Sequence, residues 1–155
     1  MSLLRAAVLA MVLLFSSVSA SGGEDMDALI AKFKAKQYYK GDVDKDSFQK
    51  LVDSGVTIID IRRDDEVEEM GMIPGSINLT FFNKDGEPDE RFLNSLTTIV
   101  KSKDEPILIV CRRGVRSKFA AQWLAYKGFT NVYNQEHGVK ELIKYRKTKM
   151  VDRMY

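Results

Sequence analysis

The sequence predicts an α/β fold, an open parallel sheet flanked by helices on both faces. Two segments, residues 56–61 and 107–110, are β-branched or aliphatic runs without alternation, the pattern of strands buried on both sides. Segments with apolar residues at helical spacing lie between the strand candidates. The connections are too long for hairpins, which leaves crossover units whose helices cover the sheet.

In chain order, Met26, Leu29, Ile30 and Phe33 recur at helical spacing over residues 25–37, with Asp25 and Asp27 at the favourable N-terminal end. Asp42-Val43 is a short strand. Asp44 is an N-cap for a helix with Phe48, Leu51 and Val52 on its face, ending near Gly55. The strand over 56–61 leads into a short acidic helix, 64–70. Pro74-Gly75 marks a turn, 76–79 a brief strand, and Asp85-Gly86 with Pro88 a break. Phe92, Leu93, Leu96 and Ile99 give residues 89–100 a helical apolar face. The strand over 107–110 delivers Cys111 at its carboxyl end. A helix over 117–127 follows, with Phe119, Ala120, Trp123 and Leu124 on one side and Gly128 closing it. Residues 131–133 form a last strand, and Val139, Leu142 and Ile143 a last helix.

Composition bounds the function. The 155 residues hold 45% hydrophobic and 30% charged side chains, with 24 Lys and Arg against 22 Asp and Glu. A chain so composed packs one core and is neither disordered nor a disulfide scaffold. A formal charge of +2 is too mild to imply a nucleic-acid partner. One Cys and one His supply no usual metal site, and no cofactor is called for. Residues 1–20 carry a single charge, Arg5, then an unbroken apolar stretch from Ala6 to Phe15 and the small residues Val18-Ser19-Ala20. That pattern is a cleavable signal peptide. Its apolar core is short of the ~20 residues that span a bilayer, so no stable membrane anchor is expected after cleavage. The expected organisation is a signal over 1–20, a leader and amphipathic helix over 21–40, a domain over 41–146 and a basic tail over 147–155. A periplasmic or secreted location makes a lone Cys notable, because cysteines outside the cytoplasm are usually paired.

The stretch Cys111-Arg112-Arg113-Gly114-Val115-Arg116-Ser117 joins a buried strand to a helix. In open parallel sheets ligands bind at the carboxyl ends of strands. A loop wrapping from strand into helix aims backbone N–H groups at its centre, reinforced by the positive end of the helix. Such surroundings favour thiolate over thiol. Arg112, Arg113 and Arg116 add guanidinium forks suited to oxyanions, and Gly114 permits the tight backbone path. The expected chemistry is nucleophilic attack by Cys111 on an anionic, electrophilic sulfur or phosphorus centre.

This loop resembles that of rhodanese-like sulfurtransferases, and the likeness extends over residues 42–145. It is carried by Asp60-Ile61-Arg62, the Glu66 region, Gly71-Met72-Ile73-Pro74-Gly75-Ser76-Ile77-Asn78 (similar to the family's Gly-His-Ile-Pro-Gly-Ala-Ile-Asn), the Cys111 loop, Gly128-Phe129-Thr130-Asn131-Val132-Tyr133 and Gly138. The resemblance implies a rhodanese-like parallel sheet. It also implies that Cys111 accepts a sulfane sulfur as a persulfide, which the loop stabilises and passes to a thiol or cyanide. On that reading Arg112, Arg113, Gly114, Val115 and Arg116 bind substrate, while Asp60, Arg62 and Ser117 support the site. The signature Cys-Arg-Arg-Gly-Val-Arg resembles that of members using thiosulfate.

Other readings stay open. The related phosphatases place five residues between Cys and Arg, whereas position 117 here is Ser. That register disfavours a phosphatase or arsenate reductase. A sulfur carrier serving a protein acceptor, or an anion-binding or partner-binding module, would keep the same fold without turnover. Met72 stands where many relatives have His, and His137 where Gly is common. As the only His, His137 invites a general-base role, but a structural imidazole is the plainer reading. Trp123 reads as packing.

Overall fold

The computed structural model describes residues 25–146 and 150–151. The expected signal, 1–20, lies outside them, as does most of the expected tail. The chain divides into two compact units, Met1–Ala31 and Lys32–Tyr155. The division falls inside the first described helix, α1 (Met26–Ala35), nine residues before the domain start expected at 41. Among the described residues no helix is long and apolar enough to cross a membrane.

The second unit alternates strands and helices: β1 (Gly41–Val43), α2 (Lys45–Asp53), β2 (Thr57–Asp60), α3 (Asp64–Met70), β3 (Ile77–Asn78), α4 (Glu90–Ile99), β4 (Ile107–Val110), α5 (Val115–Tyr126), β5 (Val132–Gln135) and α6 (Gly138–Arg146). All five strands pair in parallel, in the order β1-β5-β4-β2-β3. The expected fold class is the observed one. Asp44 caps α2 by accepting from the Ser47 N–H at 2.7 Å, as its position before the apolar face implied.

The central strand β4 is wholly buried. Leu108 and Val110 join Val43, Ile58, Phe48 of α2 and Leu142 of α6 in one core layer. By strand alternation Ile107 and Ile109 face the other side, where α5 packs on β4 and β5. Buried Phe81 links that layer together, meeting Phe92 of α4 and Trp123 of α5 edge-on at 4.9 and 5.4 Å between ring centroids. Trp123 is a packing residue.

The sheet edge is tied to α5 by polar contacts. Asp42 accepts from Tyr39, Asn134 and Lys118. Buried Gln122 clamps the last turn of α1 and the chain just after it. Its Nε2 donates to the Phe33 and Lys36 carbonyls, and its Oε1 accepts from the Tyr38 N–H at 2.6 Å.

The end of β2 carries a fully buried ion pair. Arg62 Nε donates to both Asp60 carboxylate oxygens at 2.9 and 3.0 Å, and Nη2 to Oδ2 at 2.6 Å. The same guanidinium donates to the carbonyls of Glu66 in α3 and of Gly71. Arg62 thus fastens α3 and the turn after it to the sheet. Both residues are 0% exposed, so removing one partner strands the other without water. Replacing Arg62→Met should destabilise the protein by about 3–5 kcal/mol, read as a lowered midpoint in urea denaturation.

Candidate active site at the end of strand β4

Cys111 follows the last residue of β4, and α5 begins only four positions later, at Val115. The helix starts two residues before the expected 117, so Val115 and Arg116 belong to its first turn. This tight entry depends on Gly114, whose φ of +91° is left-handed and costs a glycine nothing. A Cβ there would overlap the Glu136 carbonyl oxygen beyond β5. Gly138, φ +67°, makes a similar approach from the start of α6, where a Cβ would fall on the Cys111 carbonyl oxygen. The α6 amides of Val139 and Lys140 donate to the carbonyls of Cys111 and Arg112 at 2.9 and 3.2 Å. The loop's outward carbonyls are therefore satisfied by α6, while its inward side meets the sulfur.

Two donors converge on Cys111 Sγ: the Gly114 N–H at 3.1 Å and Ser117 Oγ at 3.3 Å. Ser117 Oγ also lies 3.0 Å from the Gly114 carbonyl. A hydroxyl has one proton, so the two contacts alternate. Facing a thiolate, Ser117 donates to sulfur; facing a thiol, it accepts from S–H and donates to the Gly114 carbonyl. Ser117 is fully buried and Cys111 is 1% exposed, so the sulfur is shielded from solvent.

The three arginines are placed differently from one another. Arg116 donates to Glu66 through Nη1 at 2.8 Å and Nη2 at 2.6 Å, a two-point pair reaching from α5 to α3. Glu66, 5% exposed, also accepts from the Arg63 N–H at 3.2 Å. Burial raises the Glu66 pKa, but the hydrogen bonds from Arg116 and the Arg63 backbone outweigh it and hold the carboxyl below the usual range. The Arg116 guanidinium is held above its ordinary value, first by the Glu66 hydrogen bonds and then by the Glu66 charge, against the cost of burial. Arg112 pairs with Glu69, both Nη atoms at 3.1 Å. Arg113 is exposed, with no ion pair among the described residues. Val115, 78% exposed, lies on the surface at the loop's rim.

The structure brings Asp60, Arg62 and Glu66 into one brace behind the loop. It adds one residue that sequence reasoning missed, Glu69, and gives a structural role to Gly138, which the sequence offered only as a mark of the resemblance. Glu69 pairs with Arg112, and its signal was the spacing of Glu66 and Glu69, three apart on one face of an acidic helix. Gly138 carries the loop against α6. His137 has a 60% exposed side chain, 3.9 Å from Glu136 Oε2. Met72 forms an isolated antiparallel bridge with Val151. No group of side chains that could hold a metal ion occurs among the described residues.

The family model for the rhodanese-like domain matches residues 44–144. Thiosulfate sulfurtransferase GlpE of Pseudoalteromonas translucida is 34% identical over 89 residues, 57% of this chain and 75% of that one. The rhodanese domain-containing protein CG4456 of Drosophila melanogaster is 34% identical over 83 residues, 50% of this chain and 72% of that one. In fold, the chain is similar to the 30 kDa polysulfide-sulfur transferase homodimer of Wolinella succinogenes. The TM-score is 0.59 at 23% identity, over 88% of this chain and 96% of that one. A match spanning strands β2 to β5, the braced α3 and the loop around Cys111 places the chain in the rhodanese-like domain family.

Proposed function

We propose that the protein is a sulfurtransferase in which Cys111 carries a sulfane sulfur as a persulfide. The observation that carries this reading is the convergence of the Gly114 N–H and the Ser117 hydroxyl on Sγ, at the mouth of α5. Thiosulfate is the proposed donor. The Cys111 thiolate attacks its outer sulfur, the new S–S bond forms, and the old one breaks with its electron pair leaving on sulfite. An acceptor thiolate or cyanide then attacks the outer sulfur of the persulfide, and Cys111 departs as thiolate. The loop amide and hydroxyl stabilise negative charge on sulfur at both stages. Arg116 acts through its charge, because both Nη atoms are engaged by Glu66, while Arg113 is the guanidinium open to the anion. The apolar, small-residue pattern of residues 1–20 supports action outside the cytoplasm.

A sulfur carrier for a protein acceptor is the second reading, favoured by the near-complete burial of Cys111. Turnover with small acceptors distinguishes the two: rapid single loading with slow turnover identifies a carrier.

Thiosulfate treatment of the purified protein should add the mass of one sulfur, lost with Cys111→Ser, in intact mass spectrometry. Absence of the adduct with every sulfane donor overturns sulfur transfer. Ser117→Ala should slow loading by roughly ten- to a hundredfold, since a hydrogen bond to a charged group is worth ~1.5–3 kcal/mol, as stopped-flow loading rates would show. Glu66→Gln should cost about 1–3 kcal/mol at neutral pH by leaving Arg116 without its carboxylate. Because the folded Glu66 carboxyl is depressed, its contribution is complete above the usual glutamate range and is lost as pH falls through the folded value. The stability gap between wild type and Glu66→Gln, measured in urea, should be flat near neutrality and close in acid.

A further inference from the structure

At the end of the sheet opposite the Cys111 loop, lysines and aromatic rings share one face. Residues 32–40 hold four lysines and no acid. The five strands run in parallel, so residues that lead into strands collect at one end, while Cys111, which leaves β4, lies at the other. Lys40 directly precedes β1, and Lys127 and Lys103 precede β5 and β4; these three strands are neighbours in the sheet. The Lys40 N–H donates to the Val132 carbonyl at the start of β5, and Lys103 Nζ to the Lys127 carbonyl, both at 2.8 Å. The entries to three adjacent strands are thereby joined into one basic edge. The carboxylates at this edge are engaged locally: Asp104 accepts from Thr130 Oγ1 at 2.6 Å, and Glu105 from the amides of Lys101 and Ser102 at 3.1 Å.

A group of rings stands beside that edge. Phe33, Tyr38 and Tyr126 meet one another edge-on, with centroids 5.9, 6.0 and 5.6 Å apart, and Phe33 packs on Phe119 at 5.3 Å. Phe33 and Tyr38 are half-buried, and Tyr126 is 36% exposed. Ammonium groups stand over these rings, Lys32 over Tyr126 at 4.4 Å and Lys36 over Tyr38 at 4.9 Å, with Lys127 over Trp123 at 5.3 Å. Lys36 and Lys40 are exposed and have no ion pair among the described residues. Tyrosines with an apolar body and a polar tip, set among lysines whose stems cover apolar surface, are the side chains suited to the boundary between hydrocarbon and water.

We propose that this face docks reversibly on a membrane surface rich in anionic phospholipid. The lysines are drawn to the headgroup phosphates, and Tyr38 and Tyr126 sit at the headgroup level. Single-stranded nucleic acid does not fit, because ammonium groups stand over the rings where a stacked base needs an open face. An acidic protein would answer the lysines but not their arrangement around half-buried rings. The apolar stretch of residues 6–15, which precedes this face in the chain, is a segment that a bilayer takes up first. Helix α5 runs from the Cys111 loop to Tyr126, and at 1.5 Å per residue its length sets the loop ~16 Å from the docked face. The loop therefore stays clear of the lipid, and docking is independent of the sulfur-transfer reading.

The test is co-sedimentation of the protein, with the N-terminus it carries after export, on vesicles of equal parts phosphatidylglycerol and phosphatidylcholine. Binding is expected at low salt, is lost as salt shortens the reach of the charges, and is absent on phosphatidylcholine alone. A lysine near an anionic leaflet is worth about fivefold in binding, so the double variant Lys36→Gln/Lys40→Gln should bind roughly thirtyfold more weakly. Its urea midpoint should match wild type, which shows that the fold is kept. Lys50→Gln/Lys84→Gln, an equal loss of charge away from this face, should bind as wild type. No binding to the anionic vesicles, equal binding to phosphatidylcholine alone, or equal weakening by the Lys50 and Lys84 pair overturns the proposal. Retention on immobilised polyglutamate without vesicle binding also overturns it and assigns the face to an acidic protein. Vesicle binding by a protein that never loads sulfur leaves the docking face standing while the sulfur-transfer reading falls.

Discussion

The ion pair of Asp60 and Arg62 is the contact on which the site's geometry depends. Both side chains are cut off from water, which costs several kcal/mol per ion unless the remaining donors and lone pairs are filled. Here they are largely filled: Asp60 takes three side-chain hydrogen bonds from Arg62, and the guanidinium reaches on to two carbonyls. One of those carbonyls belongs to Glu66, whose carboxylate grips Arg116. A buried charge at the end of β2 is in this way connected, through α3, to the first turn of α5. Asn78 and Thr80 close the same corner by donating to the Arg62 carbonyl.

The opposite wall is held by contact between backbones. Gly114 and Gly138 allow the Cys111 loop, the end of β5 and the start of α6 to approach more closely than any Cβ permits. The brace behind the loop works by charge and hydrogen bonds, which tolerate small displacements. The glycine contacts are steric and tolerate none. Together they hold the amide of Gly114 at one distance from sulfur, and preorganised donors stabilise charge without having to reorient.

Much of this was legible in the sequence, for identifiable reasons. Strand β4 is an apolar run that ends at Cys111, and burial on both faces leaves no alternation to misread. Helix α3 was bounded correctly because its acidic first turn and Gly71 mark both ends. Strand β5 runs two residues past the expected Tyr133, because Asn134 and Gln135 look like turn residues locally. They are strand because β1, some ninety positions earlier, pairs with them. The start of α5 was misplaced for the opposite reason: Gly114 looks like a loop residue, yet its left-handed backbone is what allows the helix to begin directly after it. The partner of Arg116 lies fifty positions away, and no local pattern announces a pair that only the fold creates.

The pairing of the arginines also bears on what the loop can hold. From sequence, Arg112, Arg113 and Arg116 amount to three positive charges around one sulfur. In the fold, Glu69 and Glu66 offset two of them, and one guanidinium, Arg113, has no carboxylate beside it among the described residues. A transferring phosphoryl group spreads more than one negative charge over several oxygens and calls for several open cationic donors. A persulfide carries a single negative charge on sulfur. One open guanidinium on the loop, with one amide and one hydroxyl at the sulfur, match that charge. The compensation by Glu66 and Glu69 therefore suits the loop to a bound persulfide, while the loop length is what separates it from the phosphatase register, since the proposed donor thiosulfate is itself a dianion.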